Sequence, residues 1–163
     1  LPIEEWLFFI IIPFSCLFIY ESVKYFHDVK KYNKPVRIFY LFLGATLILV
    51  GSINYDKSYT FWNFTFCGLF LVYSGYKVRD YHAEFLVAYL YSLIPFFIVN
   101  GILTDGNFDY NHLTEPVVWY NNNENLFIRI ITIPFEDLFY SMLLLIMNVT
   151  FYEKFMSKSI KNI

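Results

Sequence analysis

The sequence LPIEEWLFF at positions 1–9 decides the fold class, because it places two acidic residues at the start of a long apolar run. The sequence IPFEDLFY at positions 133–140 repeats the pattern: apolar, Pro, apolar, Glu, a second acid, then large apolar and aromatic residues. A Tyr-Glu dipeptide follows each motif at the same offset, at 20–21 and at 152–153. The chain therefore contains an internal repeat that places paired carboxyl groups in apolar surroundings. Burial of a charged carboxyl group there costs free energy unless the group is neutral or paired with another group.

The composition indicates an integral membrane protein. Of the 163 residues, 58% are hydrophobic and only 16% are charged, whereas a soluble domain carries about a quarter charged residues. The apolar residues form runs of close to the ~20 residues that cross a bilayer as a helix, and a soluble helical core would leave such runs with no polar face. We predict an all-α, polytopic transmembrane helix bundle of about five spans, roughly at 6–23, 36–53, 59–76, 83–103 and 133–151.

The repeat divides the chain into two halves of one membrane domain, 1–163. Residues 1–53 are interpreted as the remainder of the first half, and residues 59–163 as the second half with an outer loop at 104–129. The first run does not resemble a signal peptide, because its leader is acidic and no small-residue cleavage site follows. Since the chain starts at Leu inside a motif, we expect that upstream helices of the first half are missing.

The basic residues predict an orientation. If all five runs cross the bilayer, ten Lys and Arg residues fall on one side, in 24–37, 77–79 and 154–161, and only Lys57 and Arg129 fall on the other. The basic side, with the C-terminus, is then cytoplasmic, and both acidic motifs lie at the outer ends of their helices. We expect a bacterial cytoplasmic membrane. The net charge of −2 gives no reason to predict a nucleic-acid partner.

The motifs also have a purely structural interpretation. Pro2 and Pro134 suit the first turn of a helix, and the acids after them would occupy the second and third helical positions, where the helix dipole favours negative charge. An acidic first turn alone thus requires no function. It does not explain why the pattern occurs twice with matching aromatic continuations.

Small residues within the runs predict packing. Glycines recur at seven-residue spacing, at 44 and 51 and again at 68 and 75, which allows two helices to approach closely. Cys16 and Cys67 lie in apolar runs with no Cys/His cluster beside them. We expect both thiols to be free and buried and predict no metal site.

The long connector at 104–129 is expected to have a role, because loops of this length in compact proteins are usually functional or disordered. Its VVWY stretch at 117–120 argues against full disorder. Two compatible interpretations remain open: a lid over the outer mouth of the bundle, or an interfacial loop anchored at the headgroups by Trp119 and Tyr120.

The sequences PIEEWLFF and PFEDLFY, one in each half of a small polytopic protein, resemble the motifs of the lycopene cyclase domain family. This family comprises the heterodimer-type carotenoid cyclases, found as two small subunits or as one fused chain. A stretch with Trp and Asn often precedes the family motif, as VWYN does at 118–121. The resemblance extends over the whole chain and is to the fused, two-half form with its first helices lost.

The resemblance implies a membrane enzyme that converts the linear ψ ends of lycopene into ionone rings, most commonly β rings, with no net redox change. Family members lack the flavin-binding segment of the other cyclase type, and this chain has no Gly-x-Gly-x-x-Gly, so no cofactor is predicted. The implied partners are a membrane-dissolved carotenoid and the lipid bilayer. A homo- or hetero-oligomer is also compatible with two-subunit relatives.

The predicted catalytic residues are the four motif acids. Ring closure begins with a proton delivered to the terminal alkene and ends with loss of a proton from the cyclic cation. A carboxyl group can supply the first proton only if it stays neutral, which apolar burial and a nearby carboxylate favour. Adjacent helical residues point about 100° apart, so contact across the repeat is the more useful pairing. We hypothesise that Glu4 and Glu136 are the more critical acids, while Glu5 and Asp137 tune them or receive the proton.

Aromatic faces are the predicted stabilisers of the cation, worth ~2 kcal/mol or more when desolvated. Arg129 is expected either to keep a carboxylate ionised or to extend to the headgroups. The predicted substrate-binding residues are Trp6, Phe9, Trp119, Phe139 and Tyr140, with Asn121 and Asn125 as residues that orient the acids.

Two other functions remain open. A membrane prenyltransferase needs Asp-rich motifs that hold Mg²⁺ against a diphosphate, and only Asp105 and Asp109 approach that spacing. A non-catalytic carotenoid- or lipid-binding membrane subunit explains the aromatic content, but it does not explain the doubled acids.

Overall fold

The computed structural model describes residues 3–77, 80–104 and 118–161; of residues 3–5, 8–9 and 158–161 it describes the backbone alone. Within these ranges the prediction of a helical fold is confirmed. A single helical turn at Lys30–Tyr32 precedes the second helix, and two two-residue strands, β1 (Arg129–Ile130) and β2 (Ile133–Pro134), precede the fifth helix. The described helices are α1 (Ile3–Phe26), α2 (Asn33–Ile53), α3 (Ser58–Tyr76), α4 (His82–Thr104) and α5 (Glu136–Lys161).

The helices pack as an α2–α3 hairpin beside a group formed by α1, α4 and α5. Helix α5 packs on α3 as well as on α1, so it joins the two parts. We call the end where Glu136 meets Thr60 the motif end, and the end where Lys24 meets Glu153 the basic end. Because Lys24 and Glu153 both lie near the C-termini of their helices, α1 and α5 run parallel. Large side chains fill the core, among them Tyr20, Tyr40, Phe64, Leu71 and Ile146.

Large apolar side chains are exposed on all five helices, for example Phe14, Phe42, Trp62, Ile98 and Phe155. Two helical stretches in the described ranges, Lys30–Ile53 and His82–Thr104, are long and apolar enough to cross a membrane. Only 28% and 17% of their most apolar windows are buried, whereas the core helix of a soluble protein is mostly buried.

Glycine contacts hold α2 against α3, as the seven-residue spacing predicts. A Cβ atom placed on Gly68 would lie 2.6 Å from the backbone oxygen of Gly44 and 2.7 Å from Cγ1 of Ile48. A Cβ placed on Gly44 would lie 2.7 Å from the backbone oxygen of Gly68. The two backbones are therefore closer than any other residue permits. Both cysteines are free; Cys67 is buried and Cys16 is half-buried.

The expected start of the fifth helix was wrong. Pro134 does not lie in the first helical turn: it pairs with Arg129 in the two-stranded hairpin, and α5 begins at Glu136. The backbone N–H of Phe135 donates to the carbonyl of Ile128 at 2.9 Å, which keeps the chain in the hairpin until the acids. Proline tolerates such a short strand because it has no N–H to satisfy there. Glu136 and Asp137 therefore open α5 directly; Pro2 lies outside the described residues.

Substitution Gly68→Ala is expected to lower the free energy of unfolding by about 1–3 kcal/mol, because its methyl group overlaps a backbone atom that cannot move aside. The matched control is Gly101→Ala in α4, where a Cβ would meet nothing within 4 Å. Thermal unfolding of the detergent-purified variants measures the difference. Equal midpoints for the two variants would show that the close approach of α2 and α3 is incorrect.

Candidate active site at the start of the fifth helix

Glu136 is fully buried at the motif end. Its Oε1 accepts two hydrogen bonds, from the hydroxyl of Thr60 at 2.7 Å and from the backbone N–H of Leu126 at 2.6 Å. Its Oε2 is also buried, and no described residue hydrogen-bonds to it. The two oxygens of this carboxyl group are thus held in different ways, one by two donors and the other by none.

Asp137 is buried beside it and is held on both oxygens. The hydroxyl of Tyr59 donates to Oδ1, and the hydroxyl of Tyr120 donates to Oδ2. Burial, and then the hydrogen bond to Asp137, raise the pKa of Tyr120. Its phenol therefore stays protonated, and remains a donor, throughout the neutral range.

Two polar residues of α3 complete the surroundings of Glu136. Thr60 binds its side chain, and Nδ2 of Asn63 donates to its backbone carbonyl at 2.7 Å. Residues three apart lie on the same helical face, so one face of α3 serves the carboxyl group. The sequence analysis missed Thr60 and Asn63, as well as Tyr59. A detectable signal existed, because polar residues at this spacing inside an apolar run are costly without a partner.

The loop before α5 is tied to the start of α3 through Glu124. Its backbone carbonyl accepts the N–H groups of Tyr59 at 3.1 Å and Thr60 at 3.3 Å, and its Oε2 accepts the N–H of Ser58 at 3.1 Å. These are N–H groups that a helix leaves unpaired in its first turn. The same contact that caps α3 therefore sets Tyr59 and Thr60 against the acid pair.

The Leu126 N–H reaches Glu136 from an unusual backbone conformation. The next residue, Phe127, has φ 62°, and Ile131 in the hairpin turn has φ 61°; bulky residues rarely adopt this left-handed region. Asn125 is buried, and its Oδ1 accepts the N–H of Phe127 at 2.8 Å. Asn125 thus stabilises the turn that presents the Leu126 donor, and such strain concentrates at functional sites.

The predicted aromatic residues occupy different environments. Phe139 packs edge-on against Phe64 and Phe135, with 5.2 Å between ring centroids in each pair. Trp6 and Trp119 are 62% and 81% exposed. Tyr140 is also partly exposed.

The polar loop residues also differ from one another. Asn121 is exposed, and its Oδ1 accepts the N–H of Asn123. The guanidinium of Arg129 donates to Asn122 and to the carbonyl of Thr132, and lies 5.9 Å from the Tyr120 ring centroid. Tyr120, for which a lid and a headgroup anchor were both left open, directs its hydroxyl to Asp137. Side chains of Glu4, Glu5 and Phe9, and residues Asp105 and Asp109, lie outside the described parts of the chain.

The Tyr-Glu pairs of the repeat meet each other at the basic end. The hydroxyl of Tyr20 donates to Oε1 of Glu153 at 2.6 Å, and Tyr152, whose ring meets that of Tyr20 edge-on, interacts in turn with Glu21. The ammonium group of Lys24 bridges the two carboxylates, at 3.0 Å from Glu21 and 2.7 Å from Glu153. The internal repeat is therefore a structural one, with equivalent residues exchanging equivalent contacts.

These contacts determine how far along the helix bundle each of the two acidic motifs lies. The same 17 residues separate Glu4 from Glu21 and Glu136 from Glu153, which is ~25 Å along an α-helix. Because α1 and α5 run parallel and are matched at Glu21 and Glu153, the backbones of the two motifs begin at the same level.

The fold and site define an apolar helical bundle with a buried pair of carboxyl groups at one end. The chain belongs to the lycopene cyclase family, whose sequence model matches residues 1–23 and 56–155, both motifs included. Membership identifies it as a carotenoid cyclase at the level of the family. Residues 24–55, which include α2, lie outside the match. No curated protein and no solved structure matches the chain.

Substitution Tyr59→Phe is expected to lower the free energy of unfolding by about 1–3 kcal/mol, since it leaves a buried oxygen of Asp137 without its donor. The control is Tyr55→Phe, at a tyrosine that is 76% exposed. Thermal unfolding in detergent compares the two. In an Asp137→Asn background the effect of Tyr59→Phe should shrink, because interacting residues are not additive. A Tyr59→Phe effect no larger than that of Tyr55→Phe would contradict the contact.

Proposed function

We propose that this protein closes the linear ψ ends of lycopene into ionone rings, β rings foremost, by proton-initiated catalysis without redox change or cofactor. The observation that carries the proposal is the unequal treatment of the two oxygens of Glu136. Family membership supports the substrate class, and the described hydrogen bonds support an acid and a base in adjacent positions.

Glu136 is the proton donor in this proposal. In a neutral carboxyl group the carbonyl oxygen accepts hydrogen bonds while the hydroxyl oxygen donates one. Two donors converge on Oε1, so Oε1 takes the carbonyl role and the proton resides on Oε2. An alkene is a poor hydrogen-bond acceptor, so a donor aimed at one has no strong partner before the substrate arrives. The buried Oε2 of Glu136, to which no described residue hydrogen-bonds, fits this requirement.

Asp137 is the complementary carboxylate. An ionised carboxylate is an acceptor on both oxygens, and two phenols donate to Asp137. Its charge would stabilise the tertiary cation formed when the proton of Glu136 reaches the terminal alkene. The neighbouring double bond attacks that cation, and loss of one proton to a carboxylate gives the ring alkene. Proton exchange between the two acids then restores the starting state. Two acids in different surroundings thus divide the roles.

The first motif completes the site in the proposal. Glu4 corresponds to Glu136 and Glu5 to Asp137, and the equal depth of the two motif backbones supports their convergence on one substrate end. Phe139 lies on the helix that carries the acids, and it packs against Phe64 of α3 and against Phe135, which precedes that helix. Residues proposed to contact the carotenoid or to order the mouth of the site are Trp6, Phe9, Trp119, Asn121, Asn125, Phe139 and Tyr140.

All five helices span the membrane in this proposal. They contain 19 to 26 residues, hence ~28–39 Å, against a hydrocarbon thickness of ~30 Å. Exposed apolar side chains on every helix support lipid contact. Lys24, Lys30 and Lys154 lie together at the basic end, which is proposed to be cytoplasmic. The acid site then faces the outer leaflet, where it meets a carotenoid dissolved in the bilayer.

Expression of the chain in lycopene-accumulating bacteria, with chromatographic separation of the pigments, tests the proposal. The wild type is expected to yield cyclic carotenoid. Glu136→Gln should reduce the product by at least about a hundredfold, because amide nitrogen cannot supply the proton that general acid catalysis requires. The matched control is Asp56→Asn, an exposed carboxylate in the turn between α2 and α3, which should leave the product unchanged.

Immunoblots of membrane fractions must show equal insertion of the variants. Full activity of Glu136→Gln would contradict the assignment of the donor. Unchanged lycopene in cells that contain membrane-inserted wild type would favour a non-catalytic carotenoid-binding subunit instead.

A further inference from the structure

A second polar site lies at the basic end of the bundle, far from the acid pair. It is a cavity of about 620 Å³ between the ends of α1, α3 and α5 and the start of α4. Glu153 lines it, and Glu153 is 17 residues from Glu136 on the same helix, or ~25 Å. The proposed cyclisation uses no residue of this cavity, so its polar lining needs a separate explanation.

The surroundings of Glu84 indicate that the cavity binds a ligand. Glu84 is only 3% exposed as a residue and it lines the cavity. The charges of Lys30 and Lys24 act on its carboxyl group, and no hydrogen bond to it from the described residues accompanies them. Lys24 is already paired with Glu21 and Glu153, and Lys30 acts on Glu84 through its charge without an ion-pair contact. A carboxylate that faces a cavity with no hydrogen-bond donor gains from a cation that donates to it directly. A ligand with a hydrogen-bonding cation would supply that contact.

Positive groups line the same cavity. Lys30 and Lys154 border it, and within the described ranges neither forms an ion pair, although the charge of Lys30 acts on Glu84. The cavity therefore offers a carboxylate without a hydrogen-bond donor and two ammonium groups without an ion-pair contact. A ligand that matches both carries a cation and an anion on one small group.

The aromatic lining indicates what such a ligand is attached to. Phe70, Tyr73 and Phe151 border the cavity, and Tyr73 and Phe151 are exposed on the outside of α3 and α5. In the membrane-embedded arrangement of the proposed function, on which this inference rests, that outer side faces lipid. A headgroup in the cavity would leave its acyl chains against these rings.

We propose that this cavity binds a phospholipid whose headgroup carries a primary ammonium, of the phosphatidylethanolamine class. The ammonium group donates to Glu84, and the phosphate lies between Lys30 and Lys154. A primary ammonium has N–H donors, whereas the quaternary ammonium of phosphatidylcholine has none. The site therefore distinguishes the two headgroups by hydrogen bonding to Glu84.

Native mass spectrometry of the delipidated, detergent-purified chain tests this. Short-chain phosphatidylethanolamine, phosphatidylcholine and phosphatidylglycerol are titrated separately. The wild type is expected to bind phosphatidylethanolamine about tenfold more tightly than phosphatidylcholine, a magnitude typical of one charge-assisted hydrogen bond. Glu84→Gln should abolish that preference. Asp28→Asn, which removes an exposed carboxylate near the same end, is the control and should retain it.

The lysines and the carboxylate make separable contributions. Lys30→Ala with Lys154→Ala should weaken phosphatidylethanolamine and phosphatidylglycerol alike, since both carry the phosphate. Equal wild-type affinity for phosphatidylethanolamine and phosphatidylcholine would overturn the proposal, as would a preference that survives Glu84→Gln. Phosphatidylglycerol binding as tight as phosphatidylethanolamine binding would show that the amine is not recognised.

If Glu84→Gln does not accumulate, the wild-type comparison decides alone. Because the readout is bound lipid, the result is independent of cyclase activity. If the protein converts no lycopene yet prefers phosphatidylethanolamine, the proposed function is contradicted and the proposed lipid site is supported.

Discussion

The carboxyl group of Glu136 is fully buried, and the described residues donate hydrogen bonds to only one of its two oxygens. Several separate segments of the chain supply or support those donors. Thr60 comes from α3, the Leu126 N–H comes from a left-handed turn braced by Asn125, and Glu124 joins the two segments by capping α3. Without these donors a buried acid would destabilise the bundle. With them, one oxygen is fixed, and in the proposed function the other holds the proton.

The apolar runs predicted the helices well, because continuous runs of about 20 apolar residues are typical of long helices. The glycine spacing predicted the α2–α3 contact for a similarly local reason, since Gly44 and Gly68 allow backbone approach. The start of α5 was not predictable in this way. Pro134 is compatible with a first helical turn and with a short strand, and the hydrogen bond from Phe135 to Ile128 decides between them. That contact depends on a loop conformation which no periodic pattern encodes.

The candidate site, too, was only partly predictable from the sequence. Its acids were found from their repetition, while their partners Tyr59, Thr60 and Asn63 were missed because they lie some 75 residues away in sequence. Aromatic residues gave a weaker signal: the sequence did not distinguish Phe139, packed beside the core, from Trp119, which is exposed.

The repeat also relates contacts at the basic end to the position of the acids at the motif end. The exchanged Tyr20–Glu153 and Tyr152–Glu21 contacts set the register of two parallel helices whose opposite ends carry the acids.

The central claim is that an exchangeable carboxyl proton, held on Glu136, starts ring closure. Cyclisation of lycopene by membranes that contain the protein, carried out in D₂O, tests it most directly, because the proton added to the terminal alkene remains in the product. Mass spectrometry should find one deuterium for each ring formed, and the incorporation should disappear together with the product in Glu136→Gln. Cyclic product without deuterium from the wild type would contradict the account.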